Sequence, residues 1–485
     1  MSEPGKRLIV GPFNRVEGDL EVRLTIEEGR VARAEVVSTL FRGFERMLSG
    51  RDPLDALVFV PRICGICSVS QSVAAARALN VLSGKPMPIN GERALNLVHA
   101  AENAADHLTH FNLFFMPDFT REAYVSRTWH GDVVTRFAPG SGVAQRAAVK
   151  ARAELLHIMG ILAGHWPHSL AIQPGGVTKA PDAQERVRLM AIIAGFRRYL
   201  EAEIFGGDLE AFLALESREA LAAWCVARPN SDLARFMACA RDAALGTLGV
   251  GTDALLSAGA YDLAGEALFA PGLLRRSRLS PFNPDGIVED VSHAHMVPGE
   301  AKHPFEGETR PDGRLEAAGY TFCKAPRLDG HPVEVGALAR QVIDGQPLVR
   351  ALFEEGGANV ETRVMARLVE LARLAGVMDR FVRDMNVKDV FFDPAKLPEA
   401  GQAAGFCEAA RGTLGHWMVV KKGVIANYQI IAPTTWNFSP RDAAGIPGPL
   451  ERALVGTPVT EGEQAPVAVQ HIVRSYDPCM VCTVH

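Results

Sequence analysis

Two C-x-x-C pairs stand near opposite ends of this chain: Cys64 and Cys67 within RICGIC (62–67), and Cys479 and Cys482 within DPCMVCTVH (477–485). A C-x-x-C turn sets two sulfurs on one side of a loop, close enough to hold one metal ion, and two such turns supply four thiolates. If all four share a metal, both ends of a large fold must meet in its interior. A structural zinc site is the plain alternative, but zinc ribbons separate their pairs by roughly 15–20 residues, and here nearly the whole chain intervenes. The other four cysteines (Cys225, Cys239, Cys323, Cys407) are scattered singly, and no secretory signal precedes them. The pairs therefore read as metal ligands and the scattered four as buried thiols, not disulfide partners.

At 485 residues the chain exceeds the usual single-core limit, which is about 250–300. No linker, repeat or low-complexity tract divides it, so one body spanning 1–485 is expected. Its parts are an N-terminal β region at about 7–40, a helical core at about 50–270, a variable excursion at about 275–319 and a C-terminal metal-site segment at about 405–485. A net charge of −5 without a basic stripe argues against a nucleic-acid partner. Apolar windows are broken by Gly, His, Pro or Asp, so no direct membrane span is expected. The cytoplasm is the default compartment, and export as passenger of a signal-bearing partner the alternative.

In chain order, Leu20, Val22, Leu24 and Ile26 alternate as a strand, and Glu27 to Arg30 turns it into a hairpin with Val31–Val37. Glu17, in RVEGD before it, reads in isolation as a solvated charge. Asp52-Pro53 starts a short helix to Val60. After RICGIC, Ser68 with Gln71 forms a capping box for an Ala-rich helix ending at Gly84. Cys67 thus lies at a helix N-terminus, where free N–H groups and nearby Arg62 favour the thiolate. A long helix runs from Asn90 to Phe115, where His107 and His110 read as helix histidines before ligands. Further helices are expected at 146–163, 182–204, 208–223, 231–246 and 361–383. The Pro- and Gly-rich 275–319 reads as a surface excursion with ordinary loop histidines at 293, 295 and 303. Trp417–Ile431 reads as a hairpin turning at Lys421-Lys422-Gly423, PTTWNFSPR as a loop, and VAVQHIVRS as a short helix. The fold class is α+β, predominantly α: a large helical body with an N-terminal β region and a smaller C-terminal hairpin.

RVEGD, FRGFE (41–45), RICGIC, PGGV (174–177), KAPR (324–327), EVGALAR (334–340), EAARGTLGHW (408–417), NYQIIAPTTWN (427–437) and DPCMVCTVH occur in an order that resembles the large subunit of nickel-iron hydrogenases, from about residue 8 to the last. The resemblance implies that Cys64, Cys67, Cys479 and Cys482 hold nickel. It also implies that Cys67 and Cys482 bridge to an iron carrying carbon monoxide and cyanide. Dihydrogen would be split heterolytically, with Cys479 or Arg411 as the base and Glu17 as the outward proton relay. Asp118 and Asp477 would fix the Arg411 guanidinium. Thr434 and the backbone around Ala410 and Arg411 match positions that bond the cyanides. Glu45, His485 and the main-chain carbonyl of Ile430 resemble the ligands of a hard cation, usually magnesium.

Three positions depart from the pattern of many catalytic members: Gln71 and Asp19 stand where those have histidine, and Ala410 where proline often precedes the arginine. Together they resemble the hydrogen-sensing, regulatory branch, whose members signal dihydrogen to a histidine kinase. No third cysteine cluster is present to hold an iron-sulfur centre, so electrons must leave through a small subunit that carries such clusters. The expectation is a low-turnover dihydrogen sensor. A respiratory or cytoplasmic uptake hydrogenase is the second reading, and a non-catalytic scaffold with a structural metal the third.

Overall fold

The structure is a computed structural model describing residues 6–313, 319–483 and 485. Strands Lys6–Val10, Leu20–Glu27 and Arg30–Ser38 form an antiparallel sheet in sequence order. Leu20, Val22 and Leu24 are buried on one face, as period-two alternation requires. Glu28 and Gly29 both take positive φ at the hairpin turn, the backbone a tight turn between twisted strands favours.

The body is helical. The helix Ser68–Ser83 ends at left-handed Gly84, and Ile89–Thr109 continues through a π-helical turn at His110–Phe115. Val360–Asp384, capped by Asn359 and Thr362, packs along the second of these. Between them lies a buried ionic knot. Arg340 forks onto Glu370 at 2.6 and 2.9 Å and reaches Glu408 at 2.8 Å, while His107 Nε2 meets Glu370 at 3.0 Å. His110 Nε2 meets the Arg474 carbonyl, so both histidines are occupied within the core, as the plain reading held.

A second antiparallel sheet, Gly401–Ala409, Gly412–Lys421 and Val424–Ile431, covers the first long helix. Gly405 makes this close approach possible. A Cβ there would fall 2.2 Å from the Ala74 carbonyl oxygen and 2.3 Å from the Ala78 nitrogen, both helix backbone. The C-terminal hairpin thus gains a third strand and turns at Lys422-Gly423, both with positive φ.

Four expectations need correction. Residues 208–223 form two helices, Leu209–Leu213 and Arg218–Ala227, because Ser217 caps the second by accepting from Ala220 N–H. The span 275–319 is not simply a surface excursion. Ile287–Asp290 pairs with Ala325–Leu328, and Glu289 and Asp290 are buried; its residues 314–318 lie outside the described residues. PTTWN is a helical turn with Pro433 at its first position, where a missing N–H costs nothing. Finally, no Ser68–Gln71 capping box forms. Cys67 is the N-cap, and Gln71 is buried with Oε1 2.9 Å from His416 Nε2. The helix Val467–Ser475 lies where expected. No helix among the described residues is long and apolar enough to cross a membrane.

Candidate metal centre

The two cysteine loops are brought together by backbone pairing. Glu17 forms a parallel bridge with Cys479, and Met480 N–H donates to the Glu17 carbonyl at 2.7 Å. Cys479 N–H donates to Thr434 Oγ1 at 3.1 Å. On the other side, Cys64 lies in the turn before Ser68–Ser83 and takes a bond from Ile66 N–H at 3.3 Å. Arg42 ties the two loops to each other, donating to the carbonyls of Ile63 and Val481. It stands in FRGFE, where only Glu45 drew notice in the sequence.

The result is one cluster of four buried sulfurs. Sγ–Sγ distances are 2.9 Å for Cys479–Cys482, 3.2 Å for Cys67–Cys482 and 3.5 Å for Cys64–Cys479, and all four lie within 4.8 Å of one another. These are too long for disulfides, whose S–S bond is about 2.05 Å. Hydrogen bonds from Cys479, Cys482 and Cys67 lower the Cys64 thiol well below its usual range. The other three are raised: Cys67 chiefly by its contacts with Cys479, Cys482 and Cys64, and Cys479 and Cys482 chiefly by burial. Several thiolates cannot coexist here without a cation, and an all-sulfur donor set suits a soft metal.

Helix N-terminal N–H groups were expected to favour the Cys67 thiolate, but those of Val69 and Ser70 go to Glu102 instead. Arg62 does not help either, because its guanidinium folds back on the Val58 carbonyl. The cation facing the sulfurs is Arg411, which lowers Cys64.

Arg411 is held from three directions. Nε donates to the Asp477 carbonyl at 2.8 Å and Nη2 to its carboxylate at 3.1 Å, while Nη1 reaches Asp106 Oδ2 at 2.5 Å. Asp118 is not a partner, which corrects the expectation. It lies beyond the π-helical turn and pairs with Arg15 and Arg474. Asp106, three turns or so earlier, was missed; its signal is the pair of carboxylates, Glu102 and Asp106, one turn apart on the Ala-rich AENAADH stretch. Burial opposes ionisation of Asp477, but Arg411, His110 and Arg367 outweigh it and lower its pKa. Burial pushes the Asp106 carboxyl up to about 7. The bidentate approach of Arg411 nonetheless favours the ionised form, and burial opposes the Arg411 charge less than Asp106 and Asp477 support it.

Glu17 is half-buried beside the cluster, its pKa raised by burial and then by Cys64. The Ala410 carbonyl accepts from Arg340 Nη2 at 3.1 Å, and Ala409 from Nη1 at 2.9 Å, which fixes the backbone leading to Arg411.

A second polar cluster surrounds the last residue. Glu45 Oε1 accepts from Ile430 N–H at 2.7 Å and meets His485 Nε2 at 3.2 Å; Oε2 is taken by Thr309. Of the three expected cation ligands, Ile430 adjoins Glu45 through its N–H. Lys324 Nζ stands 3.7 Å from Glu45 and 2.7 Å from Glu289. Burial opposes it, but Lys324 and His485 hold the Glu45 pKa down at about 2. A cavity of about 530 Å³ borders Glu45 and Gln429. One ionised carboxylate, one imidazole and room for water fit a small hard cation.

Residues 42–121 and 146–485 match the family described as nickel-dependent hydrogenase. The periplasmic NiFeSe hydrogenase large subunit of Desulfomicrobium baculatum is 29% identical, over 99% of this chain and 95% of that protein. The uptake hydrogenase large subunit of Bradyrhizobium diazoefficiens is 27% identical, over 100% and 96%. The Ni-Fe-Se hydrogenase of D. vulgaris Hildenborough in its as-isolated oxidised state superposes with a TM-score of 0.85 at 28% identity, over 99% of this chain and 100% of that one.

Proposed function

The chain belongs to the nickel-dependent hydrogenase family, as a nickel-iron hydrogenase large subunit, and from that premise we propose that it serves as a dihydrogen sensor working through partners. The observation that supports the chemistry is the convergence of four cysteines, from both ends of the chain, into one buried all-sulfur cluster. A structural scaffold has no need of the charged groups poised against those sulfurs.

Held by Cys64, Cys67, Cys479 and Cys482, a nickel-iron pair with carbon monoxide and cyanide on iron would supply the heterolytic cleavage of dihydrogen. The protein handles the proton. Arg411 is a poor base, since its carboxylate partners hold it protonated; it orients and balances charge. Cys479 Sγ is the better acceptor. The Glu17 backbone is pinned to Cys479, and its raised pKa lets its carboxyl hold and pass on a proton. Thr434 Oγ1 and the backbone at Ala410 and Arg411 would meet the cyanides. Glu45 and His485 would hold magnesium or a similar cation. The whole chain would work as one large-subunit domain.

Electrons must leave for another chain. Among the described residues the only clustered cysteines are the four at the site, so an iron-sulfur small subunit is the partner this chemistry requires.

Gln71 supports the sensing role. It is buried against His416, whose pKa burial lowers to about 3, so neither side chain relays protons readily near neutral pH. Slow turnover suits a sensor in the cytoplasm that reports to a histidine kinase. The named relatives, periplasmic and uptake hydrogenases among them, favour the second reading, a respiratory or uptake enzyme. Infrared spectra of the complex under argon and then dihydrogen test the site, through bands of metal-bound carbon monoxide and cyanide that shift. Dihydrogen-dependent phosphorylation of a kinase, against rapid dye reduction, separates sensor from uptake enzyme. Gln71→His should raise turnover or oxygen sensitivity with nickel retained; no change in either removes Gln71 from the argument.

A further inference from the structure

The helix that carries Cys67 at its N-cap begins on a carboxylate. Glu102 Oε2 accepts from Val69 N–H at 2.8 Å and from Trp166 Nε1 at 3.0 Å. Its Oε1 accepts from Ser70 N–H and Ser70 Oγ, both at 2.9 Å. Each oxygen receives two bonds and every partner can donate, an environment that an ionised carboxylate satisfies in full. Burial pushes against this, raising its pKa to about 7.

Glu102 also lies one turn before Asp106 on the helix Ile89–Thr109. A single helix face therefore reaches both halves of the centre: Asp106 through Arg411, and Glu102 through the turn that follows Cys67. Trp166 extends the contact toward the surface. It belongs to the loop His165–His168, whose His168 binds the Pro61 carbonyl at 2.9 Å and Ser68 Oγ at 3.4 Å, gripping both flanks of RICGIC. The Arg152 guanidinium lies 5.0 Å above the indole.

A helix N-terminus carries roughly half a positive charge, which left open would draw electron density from an adjacent thiolate. Glu102 occupies those donors and cancels that field, and in a buried site such terms are weakly screened. We propose that Glu102 is a positioning residue that fixes the Cys67 side of the metal centre and keeps its sulfur a strong electron donor, with Trp166 adjusting how much of the Glu102 charge is felt there.

The inference rests on the reading that iron at this site carries carbon monoxide and cyanide, whose stretching bands report charge at the metals. The test is infrared spectroscopy of the purified complex with Glu102→Gln, Glu102→Asp and Trp166→Phe, each with its nickel content measured. Glu102→Gln should move the bands to higher wavenumber and Glu102→Asp, which keeps the charge, should return them toward the parent. Trp166→Phe removes a donor and leaves the carboxylate more exposed in charge, so its bands should move the opposite way, to lower wavenumber. Bands that stay put, or move in the same direction in both, would overturn the inference. If Glu102→Gln does not accumulate with nickel, Trp166→Phe alone decides: a shift to lower wavenumber supports the inference and none overturns it. A parent protein without such bands would overturn the underlying reading, and the inference with it; the parent spectrum makes that outcome distinct.

Discussion

Arg411 and Asp106, 305 positions apart, meet as a forked pair, Nη1 to Oδ2 at 2.5 Å and Nη2 to Oδ1 at 3.2 Å. Asp106→Asn keeps the shape and removes the charge. Dihydrogen cleavage should fall about 10–100-fold, as when a partner that orients a group at a metal site is lost, while nickel content stays near the parent level. Asp118→Asn should instead lower thermal stability by about 3 kcal/mol, because it strips the partner from Arg15 and Arg474. The reverse pattern, measured by dye reduction and thermal melts, would return the role to Asp118.

The cysteines divide by position. Cys64→Ser or Cys482→Ser should abolish nickel retention. Cys407→Ala removes a buried thiol whose Sγ bonds the Ser70 carbonyl at 3.2 Å, so it should cost stability and leave nickel in place. Metal analysis of the purified variants decides.

Glu45→Gln tests the proposed hard-cation site and should empty it. Its Oε1 meets both Ile430 and His485, so losing the charge loosens the contact that seats the last residue. Magnesium analysis should show about one ion per chain in the parent and none in the variant; equal content in both would remove Glu45 as a ligand.

Glu451 lies apart from the metal centre, buried, with Tyr320 Oη at 2.6 Å and Val36 N–H at 3.1 Å. Burial pushes its pKa up from 4.5 to about 7. The unfolded chain therefore gives up this proton at lower pH than the folded one. The contribution is fully present below pH about 4.5, is lost as pH rises toward 7, and amounts to about 3 kcal/mol at most. Glu451→Gln should remove that slope, so its melting temperature should gain on the parent between pH 5 and pH 8. Parallel slopes in the two proteins would show that Glu451 does not titrate there.

Local patterns carried much of this fold. Period-two alternation placed Leu20–Glu27, the left-handed preference of Gly84 ended the first long helix, and VAVQHIVRS forms the short helix expected after Pro466. What escaped was set by partners remote in sequence. Nothing near Gly401–Ala409 announces that Gly405 must let a helix backbone pass. Nor does anything near Ser68 reveal that Glu102 will take the donors a capping residue would have used. At the metal centre, the cysteine spacing could be read directly, and Arg411 came from the family resemblance. Asp106 fell in none of the family's motifs, while the resemblance pointed to Asp118, whose carboxylate Arg15 and Arg474 take instead.

Cys67 and Cys482 are 415 positions apart, with their sulfurs 3.2 Å from one another. Closing a loop of that length costs about 5 kcal/mol in chain entropy, but the larger consequence is one of timing. A ribosome adds about 5–20 residues per second, so the first thiol pair emerges on the order of half a minute before the second exists. During synthesis it is half a binding site, exposed to oxidants and to whatever soft ion arrives first. A metal can be enclosed by all four sulfurs only after Cys479 and Cys482 have been made and the Glu17 backbone has paired with the Cys479 loop, so loading this centre is a late event that joins distant parts of the chain.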